Sequence, residues 1–379
     1  MRQMALGFLL TIPYTLESIQ KPTRNMTTLT DNPLLLTGQS IQPDYEIQLL
    51  TRLSEQVSQV GIGFDRTAIA NFYVALKSKP LAILAGPAQS GKIALVQCLA
   101  HTMMGGDCQQ CQVMVGHPWS FGNSENLTLF IEAQMSYNTE KLLGLIEEAR
   151  RPGNAHKVYI ACITRISPAE LLSFFTEVSY QLRHGQLMRF GDVHFSEPVT
   201  FPPNLFLIGT MDTERFDWWD RDLLANTIVI QTAKMSLPPC RFQKITSISE
   251  EQDFLCSRVR SRQAAYSKIH AILRWQRQPL KPLIHVEALL SEEVGSFLYW
   301  LLDETIVYLA NSWSRLGNGL FAPSTPENLA IALDLAFSQI LLPGVVDTIR
   351  RIDVLREQLH SVLAGQFPRS NAFTNSLAE

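Results

Sequence analysis

At 379 residues the chain exceeds the roughly 250–300 at which single hydrophobic cores stop growing, so its length predicts two domains plus extensions. Apolar residues at 46% and charged residues at 18% exclude intrinsic disorder, and a formal net charge of −3 gives no global attraction to nucleic acid or a membrane surface. Six cysteines in so long a chain are no disulfide framework, and no run approaches the ~20 apolar residues of a bilayer-spanning helix.

The first residues, Met4-Ala-Leu-Gly-Phe-Leu-Leu-Thr-Ile-Pro13, form a short apolar run after Arg2. No clean small-residue cleavage site follows, so the run reads as a lead segment rather than a signal peptide, with the start left open between Met1 and Met26. Residues 1–42, rich in Thr, Pro and Asn, are expected to be poorly ordered. Ile47, Leu50, Leu53, Val57 and Val60 then recur at helical spacing, and Asp65 caps a second helix to about Lys77.

Pro80-Leu-Ala-Ile-Leu-Ala85 is a short apolar strand, and a helix opens at Lys92. Between them Gly86-Pro-Ala-Gln-Ser-Gly-Lys92 has the G-x-x-x-x-G-K spacing of a phosphate-binding P-loop, in the strand–turn–helix setting that motif requires. In such a turn the backbone of Gly86, Pro87, Ala88, Gln89, Ser90 and Gly91 wraps phosphate oxygens, the helix N-terminus adds positive potential, and Lys92 reaches the terminal phosphates of ATP or GTP. Ile93 stands where Ser or Thr would help hold Mg²⁺.

Cys108-Gln-Gln-Cys111, flanked by His101 and His117, lacks the second ligand pair of a zinc site and reads as a loop with reduced thiols. Residues 111–115 form a second strand, and Asn138 caps a helix ending near Arg150. Lys157-Val-Tyr-Ile-Ala-Cys-Ile163 is a buried strand, and Ser167-Pro-Ala-Glu170 is a capping box opening a helix that stops near Gly185. A hairpin is expected around Gly191-Asp192, then strands over 204–208 and 227–231. Short apolar strands alternating with helices predict a parallel α/β sheet.

After about Leu237 helical patterns dominate, at roughly 249–276, 287–312, 326–342 and 346–364. The expected organisation is an extension 1–42, an α/β P-loop core 43–237, a separate helical lid 238–364 and a tail 365–379. The stretch 254–286 has no acidic residue but holds Arg258, Arg260, Arg262, Lys268, Arg274, Arg277 and Lys281. It reads first as a solvated connector, second as a nucleic-acid track with Tyr266 and Trp275 for stacking. Trp218-Trp219 reads as an inter-subunit contact or as burial against the chain's own lid.

Together these blocks resemble an AAA+ module, and their details narrow the likeness to the McrB-like branch, the motor subunits of modified-cytosine restriction systems. Asn71-Phe-Tyr-Val-Ala-Leu-Lys-Ser-Lys-Pro-Leu-Ala-Ile-Leu-Ala-Gly86 resembles that branch's lead into the P-loop. Pro202-Pro-Asn-Leu-Phe-Leu-Ile-Gly-Thr-Met-Asp-Thr213 is similar to its sensor-1 strand, which usually ends G-T-M-N-T. Leu224-Ala-Asn-Thr-Ile-Val-Ile resembles the segment after its L-D-R-A motif, and Ser338-Gln-Ile-Leu-Leu-Pro343 a Q-x-L-P motif of its lid. The likeness spans about 65–365.

Four positions depart from that pattern. The Walker-B strand should end in Asp-Glu, but Thr164-Arg165, or Ile163-Thr164 on a one-residue shift, stand there. Asp212 replaces the sensor-1 Asn, Leu224 takes the arginine position of L-D-R-A, and no sensor-2 arginine is evident near 321–328. The resemblance implies a nucleotide-driven ring whose sites a neighbour's arginine completes. Asp212 holds the sensor-1 position and is the carboxylate best placed to compensate. Arg221 is the candidate arginine finger, and Arg165 either contacts phosphate directly or pairs with a surface carboxylate.

The expected protein is a degenerate, cytoplasmic AAA+ subunit that binds ATP or GTP, with or without Mg²⁺. It turns nucleotide over poorly or not at all and serves an oligomeric, restriction- or defence-type machine alongside an effector partner. Two alternatives stand beside it: a slow NTPase motor driving a partner nuclease or remodelling nucleic acid, and a scaffold whose P-loop is vestigial.

Overall fold

The computed structural model describes residues 44–79, 81–105, 109–115, 138, 140–165, 201–213, 227–232, 255, 258–274 and 278–377. These all fall in one compact unit, Asp44–Glu379. Two helices come first. Helix α1 (Tyr45–Val60) is capped by the Asp44 carboxylate, which accepts from Glu46 N and Ile47 N, and it closes at Gly61 in the left-handed region. Helix α2 (Arg66–Ser78) starts at Asp65, whose carboxylate accepts from Ala68 N at 2.6 Å. The first agrees with the apolar spacing read from sequence, the second with the Asp65 cap.

Five parallel strands follow: β1 (Leu81–Ala85), β2 (Cys111–Val115), β3 (Tyr159–Thr164), β4 (Leu205–Met211) and β5 (Ile228–Gln231). They lie side by side in the order β2-β3-β4-β1-β5. The register pairs Leu81–Ala85 with Leu207–Met211 on one side of β1, and Ala82–Ala85 with Ile228–Gln231 on the other. The residues of β1, β3 and β4 are buried throughout, as a parallel sheet covered on both faces requires.

Topology assigns the faces. Helix α3 (Lys92–Met104) carries the chain from β1 to the far edge at β2, and the later connections return across the sheet. Right-handed crossovers therefore set α3 on one face and the next helix, α4 (140–150), on the other. The cores agree. Alternate residues Ala82, Leu84, Cys162, Phe206 and Ile208 face α3 through Leu95, Val96 and Leu99. Leu81, Ile83, Ala161, Leu205 and Leu207 face Leu142, Leu145 and Ile146 of α4. The chain thus reverses direction between β1 and β4, which is where open α/β sheets hold ligands.

The helical region comprises α5 (Arg262–Ile272), α6 (Lys281–Val294), α7 (Ser296–Asn311), α8 (Thr325–Ala336), a π-helical turn Phe337–Leu341 continuing over Leu342–Gly344, α9 (Val346–Arg351), α10 (Asp353–Leu363) and α11 (Pro368–Ser376). Several expectations are corrected. The helix read over 287–312 is two, because Gly295 at φ 69° and ψ −144° turns the chain between α6 and α7. The helix read over 346–364 breaks at Ile352, whose ψ is 95°. Within the helix read over 249–276, residues 258–260 are non-helical and α5 begins after a cap at Ser261, whose Oγ accepts from Ala264 N at 3.2 Å; most of 249–257 lies outside the described residues. The tail 365–379 contains α11, with Phe373 and Thr374 buried. One apolar core runs from α1–α3 through the sheet face into α5–α11.

Residues 1–42, Cys108, His117, the capping-box helix, the Gly191-Asp192 hairpin, Trp218-Trp219, Arg221, Leu224 and Trp275 lie outside the described residues. No helix among the described residues is long and apolar enough to cross a membrane.

Candidate functional site

The loop 86–91 leaves the carboxyl end of β1 between the ends of β4 and β5. Gly86 N donates to Met211 O at 3.1 Å, Thr213 N donates to Gly86 O at 3.4 Å, and Thr232 N donates to Ala85 O at 2.7 Å. Three neighbouring strand ends are thereby tied to one turn. Within it Gln89 (φ 62°) and Gly91 (φ 76°) are left-handed, and α3 starts at Lys92, with Leu95 N donating to Gly91 O at 2.9 Å. The amides ahead of Leu95 have no carbonyl behind them in the helix, so this end is electropositive. A left-handed turn feeding a helix N-terminus is a concave anion cradle.

The side chains brace that turn. Ser90, 1% exposed, shares a hydrogen bond with Thr232 Oγ1 at 2.8 Å, and Thr232 Oγ1 also donates to Ala85 O at 3.2 Å. Lys92 Nζ donates to Gly86 O at 2.7 Å, Pro87 O at 2.6 Å and Ser90 Oγ at 2.9 Å. The ammonium is therefore folded over its own loop.

Of the remaining sequence candidates, Asp212 follows directly on β4, one residue before the Thr213 amide that touches Gly86. Arg165 follows β3 in left-handed backbone (φ 56°), and its N–H donates to Thr210 Oγ1 at 3.2 Å. Thr210 is in register with Leu84, so Arg165 sits at the same sheet edge as the loop. Ile93 is 37% exposed on the first turn of α3. Thr164, at the end of β3, is buried.

The residues do not fit a conventional Mg²⁺ site. Ile93 offers no oxygen, and β3 ends in Thr164-Arg165 rather than a carboxylate. Asp212 is the one carboxylate among the described residues that follow β1, β3, β4 and β5 at this edge.

Beside the loop lies a cavity of about 520 Å³, within the usual range for small-molecule sites. Its walls include Phe64 before α2, Asn71 of α2, Leu95 of α3, Thr232 after β5, Gln339 of the π-helical turn and Arg369 of α11. Thr232 and α3 thus belong to both loop and cavity. The Asn71 Oδ1 accepts from Tyr308 OH at 2.6 Å, so its carboxamide is oriented. Gln339 Oε1 is shielded from solvent and has no hydrogen-bond partner, a state that costs free energy until a donor arrives. A π turn is a recurrent way to present such a side chain. Arg369 is 45% exposed and lies 3.5 Å from Asp334 Oδ2.

Sequence reading found the loop and the strand ends but missed the cavity. Gln339 lay inside the Ser338–Pro343 block, which was its only signal. Asn71 lay inside the Asn71–Gly86 block, and Thr232 and Arg369 carried no signal, since no motif spacing links them to the loop 86–91.

The basic stretch is drawn inward. Arg258 lies 4.6 Å from the Phe206 ring centroid, Arg260 Nη2 donates to Pro203 O at 3.0 Å, Arg262 pairs with Asp303 at 3.0 Å, and Lys268 donates to Trp313 O at 2.9 Å. These four cations bind the connector to its own chain, which argues against a nucleic-acid track there.

No protein-family model matches this chain, and no curated protein matches it.

Proposed function

We propose that the chain is a degenerate AAA+ subunit of the McrB-like kind that binds a purine nucleoside triphosphate and hydrolyses it poorly or not at all. The observation that carries this is the braced turn 86–91 running into α3 at the reversal point of a parallel sheet, beside a cavity of about 520 Å³. Phosphates would lie on the turn and helix N-terminus, with the base in the cavity against Phe64, Leu95 and Gln339. Arg369 is the helical region's own cation on that cavity.

Turnover is a separate matter. Attack of water on a phosphoryl group needs charge neutralisation at the transferred phosphate and a carboxylate to orient or activate water. A general base is worth about 10²–10⁴-fold in rate, and β3 supplies none. By the same resemblance the work of the subunit is structural or regulatory, in a cytosolic ring that includes an active partner.

One observation favours a second reading, a vestigial loop. All three hydrogens of the Lys92 ammonium are accounted for by Gly86, Pro87 and Ser90, so the turn is self-satisfied and a phosphate must displace those bonds.

Thermal shift and phosphate release with ATP and GTP, on wild type and Lys92→Ala, separate the readings. A shift abolished by Lys92→Ala, without release, is the expected result; ligand at about 100 Kd adds about 2.7 kcal/mol. No shift with either nucleotide supports the vestigial loop, and release lost in Lys92→Ala supports a slow NTPase.

A further inference from the structure

We infer that the triphosphate is neutralised by Lys92 and Arg165 rather than by a divalent cation, so that nucleotide binding is independent of Mg²⁺. This rests on the nucleotide reading above and goes beyond it. It starts from the mismatch between the residues and a metal. The two protein groups that hold Mg²⁺ in P-loop proteins are a hydroxyl after the lysine and a Walker-B carboxylate at the end of another strand of the sheet. Here one is Ile93, and the other is buried Thr164 followed by Arg165. A cation therefore occupies the end of the strand where a carboxylate would bind one.

Arg165 is also held there against its own backbone preference. A φ of 56° is uncommon for a residue with a side chain, costs free energy, and persists where surrounding structure imposes it, often at functional sites. The bond from Arg165 N to Thr210 Oγ1 and the register of Thr210 with Leu84 fix that backbone one strand away from β1, at the end where the phosphate turn begins. A guanidinium can donate to two phosphate oxygens in parallel, which an ammonium cannot. Lys92 then supplies a point charge from within the turn, and Arg165 a fork from the end of β3, with only β4 between that strand and β1.

Asp212 is the residue a rival account needs. Mg²⁺ can be bound by one or two carboxylates together with substrate phosphates, and Asp212 adjoins the turn. A metal held there would make Asp212 indispensable, whereas in the metal-free account the nucleotide does not need its carboxylate.

Calorimetric titration of ATP and GTP into the full chain, in excess EDTA and in excess Mg²⁺, decides between them. Binding should agree in the two buffers within about twofold, and Arg165→Gly should weaken it at least about tenfold in both, the loss of charge-assisted hydrogen bonds. Glycine adopts a positive φ without strain, so this variant should keep its fold, checked by its Tm. Arg165→Lys should recover part of the affinity, and Asp212→Asn should leave it unchanged or tighten it. Binding at least about tenfold stronger with Mg²⁺ and lost in Asp212→Asn overturns the inference, as does wild-type affinity in Arg165→Gly. Absence of binding in every condition removes the nucleotide reading itself and this inference with it.

Discussion

A methyl group on Gly86 would lie 2.1 Å from Thr232 Oγ1 and 2.3 Å from Thr232 O. The first glycine of the motif is thus required by the chain end of β5, not only by a ligand. Gly86→Ala should destabilise the protein by about 1–3 kcal/mol, the usual cost of forcing atoms into a filled site, read from urea unfolding. Adding Thr232→Ala should rescue little, because the carbonyl contact remains. Ile93 is the contrary case. It is partly exposed, so Ile93→Thr should change stability by no more than about 0.5 kcal/mol. It should not create phosphate release, because β3 still ends without a carboxylate. The glycine and the lysine were legible because their meaning lies in a spacing of a few residues. Gln339 and Arg369 were less so, because nothing local says that a helical turn so distant in sequence lines the same cavity as Leu95 of α3.

Elements meet through caps and buried charges that periodicity does not reveal. Helix α11 is seated by Asp334 of α8, whose Oδ1 accepts from Ser370 N at 2.9 Å and Ser370 Oγ at 2.8 Å, and whose Oδ2 accepts from Arg369 N at 3.2 Å. Asp334→Ala orphans the first amides of α11 and should cost about 1–2 kcal/mol, with faster proteolysis at residues 365–377 as a local readout. Since α11 also carries Arg369 on the cavity wall, nucleotide affinity should fall with it. Glu287 of α6 is 8% exposed, and burial pushes its carboxyl up from 4.5 to about 7. The folded state therefore holds a proton that the unfolded chain has released. This contribution favours folding most below pH 4.5 and is lost as the pH rises toward about 7. Glu287→Gln should flatten that part of the stability–pH curve, measured by denaturation across the range. The helices themselves were mostly legible, but the break at Gly295 was not, because the apolar pattern continues across it and only the positive φ shows the turn.

Across the whole molecule, Glu46 of α1 joins the first helices to the loop after α7. Its carboxylate accepts from Lys77 Nζ at 2.7 Å, Tyr73 OH at 2.9 Å and Arg315 N at 2.7 Å, while Lys77 also donates to Trp313 O at 3.1 Å. Glu46 and Lys77 are nearly fully buried, at 2% and 3% side-chain exposure. A buried pair adds little relative to an apolar pair, but removing one partner strands the other charge. Glu46→Ala should cost about 3–5 kcal/mol in chemical denaturation. Glu46→Gln with Lys77→Met keeps a carbonyl acceptor for Arg315 N and an amide that can donate to the Tyr73 hydroxyl, removes both charges, and should recover most of that loss. This connection adds a polar link to the apolar core shared by the first helices, the sheet face and the helical region within the unit Asp44–Glu379.

Composition and pattern sufficed for a parallel α/β sheet, the strand–turn–helix at 81–104, and the missing hydroxyl and carboxylate, because each is a property of one short segment and its immediate neighbours. The strand order, the placing of Arg165 by Thr210 at the end of the sheet that holds the loop 86–91, the cavity walls and the Glu46–Lys77 connection arose only on folding. Each depends on chain closures over tens to hundreds of residues, and the apolar periods that mark a strand or helix carry no record of which other element it will touch.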